Sequence, residues 1–141
     1  LENLCFAVAV LDVDRFKSIN DSYGHAAGDS VLQRLSQHIA SALPQSALFG
    51  RMGGEEFAIV LPDYNLHEAH ALLDTLREGL AALPLDVDGE ALHVTFSAGI
   101  AERKRHGEQL SELLKIADHA MYQAKSEGRN RIHSAPPAPQ R

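Results

Sequence analysis

One continuous apolar run opens the chain, LCFAVAVL at residues 4–11, and the polar sequence DVD at residues 12–14 follows it at once. Valine and phenylalanine favour a strand, and a run without alternating polar side chains is typical of a strand that is buried on both faces. We therefore predict a central strand of a sheet with helices packed on it. The single cysteine, Cys5, lies in this run, and we expect it to be a small buried side chain in a reducing compartment.

Helices and strands follow in a regular order along the rest of the chain. Helical spacing of apolar residues predicts helices over the segments 29–43, 72–83 and 110–124. Short apolar runs between turn residues predict strands at 47–52, 57–61, 85–87, 92–101 and 131–133. The order βα-ββ-α-ββ-α-β predicts an α/β (α+β) fold with a mixed central β-sheet flanked by helices. We assign one domain to residues 1–133 and a flexible Pro/Ala-rich tail, outside the core, to residues 134–141.

Composition and charge limit the classes of function. The chain has 141 residues, of which 45% are hydrophobic, and its 13 Lys+Arg and 19 Asp+Glu residues give a net charge of −6. The basic residues are scattered and form no stripe that would follow a nucleic-acid backbone, so we expect no nucleic acid among the partners. The longest apolar run is far too short to span a membrane. We expect a soluble, cytoplasmic domain, and a membrane anchor elsewhere in the parent protein stays open.

Two acidic residues, Asp12 and Asp14, stand where the predicted central strand ends. Their side chains point the same way in a strand, and the carbonyl of Val13 between them can add a third oxygen. Ligands bind at this edge of α/β sheets, and hard oxygen ligands are typical of a Mg²⁺ site. An ordinary strand end that begins a turn accounts for the same residues equally well.

A second acidic feature, Gly53-Gly54-Glu55-Glu56, lies between two predicted strands and reads as the tip of a hairpin. Paired glycines permit positive φ and let a ligand approach the backbone. Two adjacent glutamates repel each other unless a cation lies between them, although a plain turn with solvated acids is the alternative. Two acidic strand ends that meet around a divalent metal are typical of palm-type polymerases and nucleotide cyclases, which activate a 3′-hydroxyl and screen a triphosphate.

Three separated motifs extend these features: DVDRFKSINDSYGHAAGD at residues 12–29, RMGGEEF at 51–57 and YQAKSEGRN at 122–130. In order and spacing they resemble the GGDEF family of diguanylate cyclases, and residues 53–57 read GGEEF, a common variant of the family signature. The resemblance spans residues 5–133 and implies a palm-like, nucleotide-cyclase-like fold.

The resemblance also implies an activity. Members of this family condense two GTP molecules into cyclic di-GMP and two pyrophosphates, at the interface of two domains. For this chain that implies GTP as the substrate, Mg²⁺ as the cofactor with Mn²⁺ as an alternative, and a second copy of the domain as the catalytic partner in a homodimer. It further implies an upstream sensory or regulatory domain in the parent protein.

Residue by residue, the resemblance assigns the metal and the chemistry to a small set of groups. Asp12, the carbonyl of Val13 and Glu55 would hold Mg²⁺ at the triphosphate. Glu55 is also the family's usual base for the 3′-hydroxyl, Glu56 is a second carboxylate, and Lys17 would face the developing charge. A carboxylate bound to Mg²⁺ is a weak base, so loss of the proton to water stays an equal alternative.

The substrate contacts that the resemblance implies involve eight further residues. They are Phe16, Asn20, His25, Asp29, Gly53, Gly54, Lys125 and Arg129. Lys125 and Arg129 would bind the β and γ phosphates, and they share a helix face unless Gly128 ends the helix first. Asn20 and Asp29 would read guanine, with His25 nearby. A carboxylate accepts from both N1–H and the N2 amine of guanine, which predicts GTP over ATP.

The chain departs from the family pattern at two places. Pro44-Gln45-Ser46-Ala47 stands where many relatives carry an Arg-x-x-Asp product-inhibition site, so we expect no feedback through that site. The family's Asp-x-Leu-Thr element before the first strand is also missing, so we expect a domain short of its N-terminal helix. The alternative functions are a non-catalytic GTP-binding regulatory module and a cyclase for mixed purine dinucleotides, against which Asp29 argues. His67 and His70 fit solvated helix positions better than a zinc site.

Overall fold

The computed structural model describes residues 4–137, and its helices and strands alternate along the chain. In order they are β1 (Phe6–Val13), α1 (Phe16–Tyr23), α2 (His25–Ala42), β2 (Leu48–Gly53), β3 (Glu56–Pro62), α3 (Leu66–Ala82), β4 (Leu85–Val87), β5 (Glu90–Leu92), β6 (Phe96–Glu102), α4 (Leu110–Ser126) and β7 (Ile132–Ser134). Five strands form one sheet in the order β2-β3-β1-β6-β7, and β4 pairs with β5 alone. Only β7 is parallel to its neighbour, β6, so the sheet is mixed as predicted.

Strand β1 lies at the centre of the sheet, and residues 7–11 are fully buried. Alternate side chains of β1 pack into two separate hydrophobic cores, one on each face of the sheet. Ala7, Ala9 and Leu11 pack with α2 and α3 on one face, whereas Val8 and Val10 pack with α4 on the other. The prediction of a strand buried on both faces is confirmed, and the continuous apolar sequence follows from it because neither face meets water.

Helix α4 packs unusually close to the sheet because β6 carries a glycine beneath it. A Cβ at Gly99 would overlap the backbone of α4 at Ala117 and Met121. This close contact fixes the height of α4 above the sheet and therefore the position of the side chains in its last turns.

One helix was missed, and one local prediction was wrong. Helix α1 was not predicted, because it has only eight residues, its apolar side chains are only partly buried against the core, and Ser18, Asn20 and Asp21 are weak helix formers. The strand predicted at 92–101 is broken, since β5 ends at Leu92 and β6 begins at Phe96. The residues between them are drawn toward the end of β1, where the Thr95 carbonyl accepts from the backbone N–H of Asp14 at 2.9 Å.

The two ends of the described chain also differ from expectation. Cys5 is exposed, because β1 begins one residue after it. Ala135 was placed in a tail outside the core, but it is 4% exposed and its N–H donates to the Ile100 carbonyl at 2.9 Å. The predicted tail residues 138–141 lie outside the described residues. Within residues 4–137 we find no helix with the length and apolarity to cross a membrane.

Candidate active site

The end of β1 lies directly beside the tip of the β2–β3 hairpin. In the antiparallel register of β1 and β3, Asp12 is the partner of Glu56. One residue further, the Val13 N–H donates to the Glu55 carbonyl at 3.2 Å. Sheet pairing thus brings together the two acidic features that stand far apart in the sequence.

The hairpin tip leaves its backbone open to an incoming molecule. Gly53 and Gly54 have φ of 154° and 53°, and no atom lies within 4 Å of the position that a Cβ would take on either residue. Arg51 Nε donates to the Gly54 carbonyl at 2.7 Å, which holds the turn in place. A side chain at either glycine would be strained and would cover this surface.

The carboxylates at this edge crowd each other. Burial raises the pKa of Asp12, although Lys125 beside it lowers that pKa in part. Burial also raises the pKa of Glu56 to about 7, and repulsion from Asp118 on α4 contributes. Asp118 Oδ1 is buried and has no hydrogen-bond partner among the described residues. The edge therefore carries more negative charge than the chain itself neutralises.

Sequence reasoning did not single out Asp118. It stands seven residues before Lys125 on α4, which is two helical turns, so both project from the same side of the helix. The seven-residue spacing from Lys125 is therefore the sequence signal that connects Asp118 to the site.

Lys125 reaches the carboxylate edge from the last turn of α4. Its Nζ lies 2.9 Å from Asp12 Oδ1 and 3.3 Å from Asp14 Oδ1. Arg129 lies beyond the helix, because α4 ends at Ser126 and Arg129 has a left-handed φ of 65°. The two cations therefore do not share a helix face, since Gly128 ends the helical pattern before Arg129.

Asp14 is the most buried charged side chain of the site. Thr95 Oγ1 and Ser97 Oγ each donate to its carboxylate at 2.7 Å, and the backbone N–H of Asn130 donates at 2.9 Å. The sequence placed Asp14 at the site but did not reveal these partners, which come from β6 and from the turn after α4.

The residues predicted to contact guanine lie on α1 and α2. Asn20 Oδ1 is buried without a hydrogen-bond partner among the described residues, and a Cβ at Gly28 would overlap it. Phe16 lies against the same glycine, since its Cζ would be 3.1 Å from that Cβ. Asp29 follows directly and lines a pocket of about 270 Å³ with Arg51 and Phe57.

Three of the predicted residues, Lys17, His25 and Arg129, have side chains that form no hydrogen bond or ion pair with the other predicted site residues that the structure describes. Lys17 and His25 are exposed, and their side chains form no hydrogen bond or ion pair with another residue in the described part of the chain. The structure therefore forms two groups of predicted residues. One consists of Asp12, Glu55, Glu56 and Lys125, and the other of Phe16, Asn20 and Asp29. For Lys17, His25 and Arg129, only the position in the backbone relates the residue to the site.

The donor set of the carboxylate edge fits Mg²⁺. Across residues 4–137, no three His, Cys, Asp or Glu side chains converge as a complete metal-binding group. The predicted set differs from such a group, because it uses two carboxylates and the carbonyl of Val13. Mg²⁺ prefers hard oxygen ligands and commonly completes its shell with water and substrate phosphates. A cation at this edge would relieve the repulsion between Glu56 and Asp118.

Comparison with known proteins accounts for this combination of motifs and geometry. The family described as "Diguanylate cyclase, GGDEF domain" matches residues 1–131. The chain belongs to the GGDEF family. This membership and the mixed α+β fold confirm the resemblance and the fold class that the sequence predicts.

Individual GGDEF proteins resemble the chain over nearly all its length. Diguanylate cyclase DgcP of Pseudomonas aeruginosa is 44% identical over 130 residues, which are 91% of this chain and 19% of that protein. Cyclic di-GMP phosphodiesterase NbdA of the same organism is 42% identical over 124 residues, which are 88% of this chain and 16% of that protein. The crystal structure of the GGDEF domain of YfiN (TpbB), also from P. aeruginosa, superposes with a TM-score of 0.91 at 37% identity, covering 96% of this chain and 84% of that one. The chain thus spans less than a fifth of either curated relative.

Proposed function

We propose that this domain is a Mg²⁺-dependent diguanylate cyclase that condenses two GTP molecules into cyclic di-GMP and two pyrophosphates in the cytoplasm. The observation that carries the proposal is the meeting of Asp12, Glu56 and Lys125 at one strand end. Carboxylates for a metal and a cation for phosphate stand side by side there, as phosphoryl transfer requires.

The reaction joins the 3′-oxygen of one GTP to the α-phosphorus of the other. The bond from that phosphorus to pyrophosphate breaks, and the 3′-hydroxyl loses its proton. Asp12, Glu55 and the Val13 carbonyl would hold Mg²⁺, which when bound would neutralise charge at the triphosphate and lower the pKa of the 3′-hydroxyl. Glu55 takes the proton, with water as the alternative acceptor, because a carboxylate that holds a divalent cation is a weak base.

The remaining residues bind and orient the nucleotide. Lys125 and Arg129 bind the β and γ phosphates, and Lys17 faces the charge that develops during transfer. Gly53 and Gly54 admit the triphosphate to the hairpin backbone, where no side chain obstructs it. Glu56 would add a further carboxylate beside Glu55 at the metal.

Guanine binds beside α2. Asn20 carries a buried carbonyl oxygen without a protein partner, which suits an amine donor of the base. Asp29 lines the adjacent pocket and accepts from N1–H and the N2 amine, which adenine does not offer together. Phe16 lies at the bottom of this binding site, and His25 lies at its rim, at the start of α2.

A second copy of the domain completes the reaction. One domain presents one set of these residues, and the cyclic product requires two phosphodiester bonds. Two domains must therefore face each other with their nucleotides antiparallel. An upstream sensory or regulatory domain in the parent protein would control this pairing.

A second candidate function is a GTP-binding module without catalytic activity. It is favoured by one observation, the 42% identity to a protein named a cyclic di-GMP phosphodiesterase. This module would keep the guanine and phosphate contacts but would not form product.

Enforced dimerisation separates the two functions. The full chain is fused to a leucine zipper and incubated with GTP and Mg²⁺, and cyclic di-GMP is measured by chromatography. Glu55→Gln should abolish product, whereas Glu108→Gln, an exposed acid whose carboxylate contacts no described residue, should not. Folded wild-type protein that binds GTP and forms no product at any concentration would establish the binding module instead.

A further inference from the structure

Asp14 is buried far more deeply than the other acids of the site. Its side chain is 3% exposed, whereas that of Asp12 is 13% exposed. A carboxylate in such a position is stable only when it is paired and hydrogen-bonded. Two hydroxyls, one backbone N–H and the ammonium of Lys125 together meet that need.

Both cations that would bind the phosphates depend on Asp14. Lys125 contacts it directly, with Nζ 3.3 Å from Oδ1. Arg129 depends on it through the next residue, because the Asn130 N–H donates to Asp14 Oδ2 at 2.9 Å. One buried carboxylate therefore joins the end of α4 and the turn after it to the end of β1.

The turn needs this support because its backbone is unfavourable. Arg129 and Asn130 have φ of 65° and 49°, in the left-handed region that an arginine seldom adopts. Three bonds hold the two residues there: Arg129 N–H to the Ala124 carbonyl at 3.0 Å, Asn130 N–H to Asp14, and Arg77 Nη1 to Asn130 Oδ1 at 2.9 Å. The Arg77 contact holds the Asn130 side chain, whereas Asp14 holds its backbone N–H.

Asp12 cannot take over this task in the catalytic state. Its carboxylate is the proposed metal ligand, and a divalent cation there would repel the nearby ammonium of Lys125. Asp14, whose oxygens face β6 and the turn, remains available to Lys125 throughout.

We propose that Asp14 is a positioning residue that holds Lys125 and the Arg129–Asn130 turn beside the metal edge, so that both cations reach the same triphosphate. The inference rests on the proposed function, because it concerns how that site binds GTP. The opposing view is that Asp14 only ties β1 to β6 through Thr95 and Ser97. If the role of Asp14 is purely structural, substitution of Asp14 should lower the stability of the protein without changing the affinity of the site for phosphates.

The test compares GTP with guanosine, whose affinities differ only through the phosphates. Asp14→Asn keeps the shape and removes the charge, and Thr95→Val removes one structural hydrogen bond but leaves the contacts to Lys125 and Asn130. Affinities are measured by calorimetry on the full chain without the zipper, in EDTA and again in Mg²⁺, because an enforced dimer would consume GTP in Mg²⁺. Asp14→Asn should lower GTP affinity roughly tenfold and leave guanosine affinity unchanged, whereas Thr95→Val should preserve the ratio of the two affinities.

A second readout needs no nucleotide. The rate at which an acylating reagent modifies Lys125, followed by mass spectrometry, should rise several-fold in Asp14→Asn and stay at the wild-type value in Thr95→Val. If Asp14→Asn does not fold, Arg77→Gln replaces it, because it releases Asn130 from outside the site and should lower GTP affinity relative to guanosine. An unchanged ratio in the folded variant overturns the inference. A wild-type protein that binds GTP no better than guanosine overturns the proposed function, and the inference with it.

Discussion

Lys125 on α4 and Asp12 at the end of β1 form an ion pair, with Nζ 2.9 Å from Oδ1. The pair joins the third sequence motif to the first, and it places the cation proposed to bind phosphate directly beside the carboxylate proposed to bind the metal. It forms because Gly99 lets α4 approach the sheet closely. The arrangement is therefore a consequence of the fold.

Removing Lys125 should cost stability as well as nucleotide affinity. Lys125→Met leaves Asp12 and the buried Asp14 without their cation, and a buried carboxylate without a charge partner is costly. We expect the free energy of unfolding to fall by about 2 kcal/mol, less than for a fully buried pair because Lys125 is partly exposed. Urea unfolding at pH 7 in EDTA measures this loss. Lys115→Met, an exposed lysine on the same helix, is the control, and equal losses in the two variants would contradict the expectation.

The crowded carboxylates should give the metal-free protein an unusual pH dependence. Because the pKa of Glu56 is raised from 4.5 to about 7, the folded state binds more protons than the unfolded state between these pH values. This contribution to stability is complete below pH 4.5 and is lost as pH rises through about 7. Asp118→Asn removes part of the repulsion, so it should raise stability at pH 8 by about 1 kcal/mol, a value reduced for solvent screening of this half-buried pair.

Urea unfolding in EDTA from pH 5 to pH 8 tests this expectation. Asp21→Asn, an exposed acid on α1, is the matched control and should leave the pH profile unchanged. Addition of Mg²⁺ should stabilise the wild type at pH 8, because a cation relieves the same repulsion. A variant Asp118→Asn with the wild-type profile would show that Asp118 does not act on Glu56.

The sequence was most informative where local patterns decide the structure. The uninterrupted apolar run predicted β1, because a strand that is buried on both faces needs apolar side chains at every position. The position of α1 and the break between β5 and β6 could not be predicted in the same way. The break accompanies long-range bonds of Asp14 to Thr95 and Ser97, which appear only when β1 and β6 are paired.

The candidate site shows the same division. Its motif residues could be found from spacing alone, but Asp118 lies outside the three motifs. The support that Asp14 gives to Asn130 requires the end of β1 to meet the turn after α4. Ala135 is buried for a similar reason, because it meets His106 and Ile100 across the fold although its own neighbours in sequence read as a tail.

His106 should prove structural, with no influence on the nucleotide site. It is 4% exposed, its Nδ1 accepts from the Glu102 N–H at 2.9 Å, and its Nε2 donates to the Ala135 carbonyl at 3.0 Å. His106→Ala leaves both backbone groups unpaired and opens a cavity, so stability should fall by about 2–3 kcal/mol. GTP affinity of the folded variant should remain within about twofold of the wild type. The exposed His119→Ala serves as the control in thermal unfolding, and a similar stability for both variants would disprove the role.

Gly28 should be essential for guanine binding, because only a residue without a side chain leaves room for Asn20. A Cβ at position 28 would overlap Asn20 Oδ1 and displace it, although alanine favours the helix in which Gly28 lies. Gly28→Ala should therefore weaken guanosine and GTP by the same factor, roughly tenfold, in calorimetric titrations. Gly50→Ala is the control, since no atom lies within 4 Å of its added Cβ. The equal loss of affinity for both ligands distinguishes Gly28→Ala from Asp14→Asn, which should weaken the binding of GTP alone. A loss of affinity confined to GTP would show that Asn20 does not contact the base.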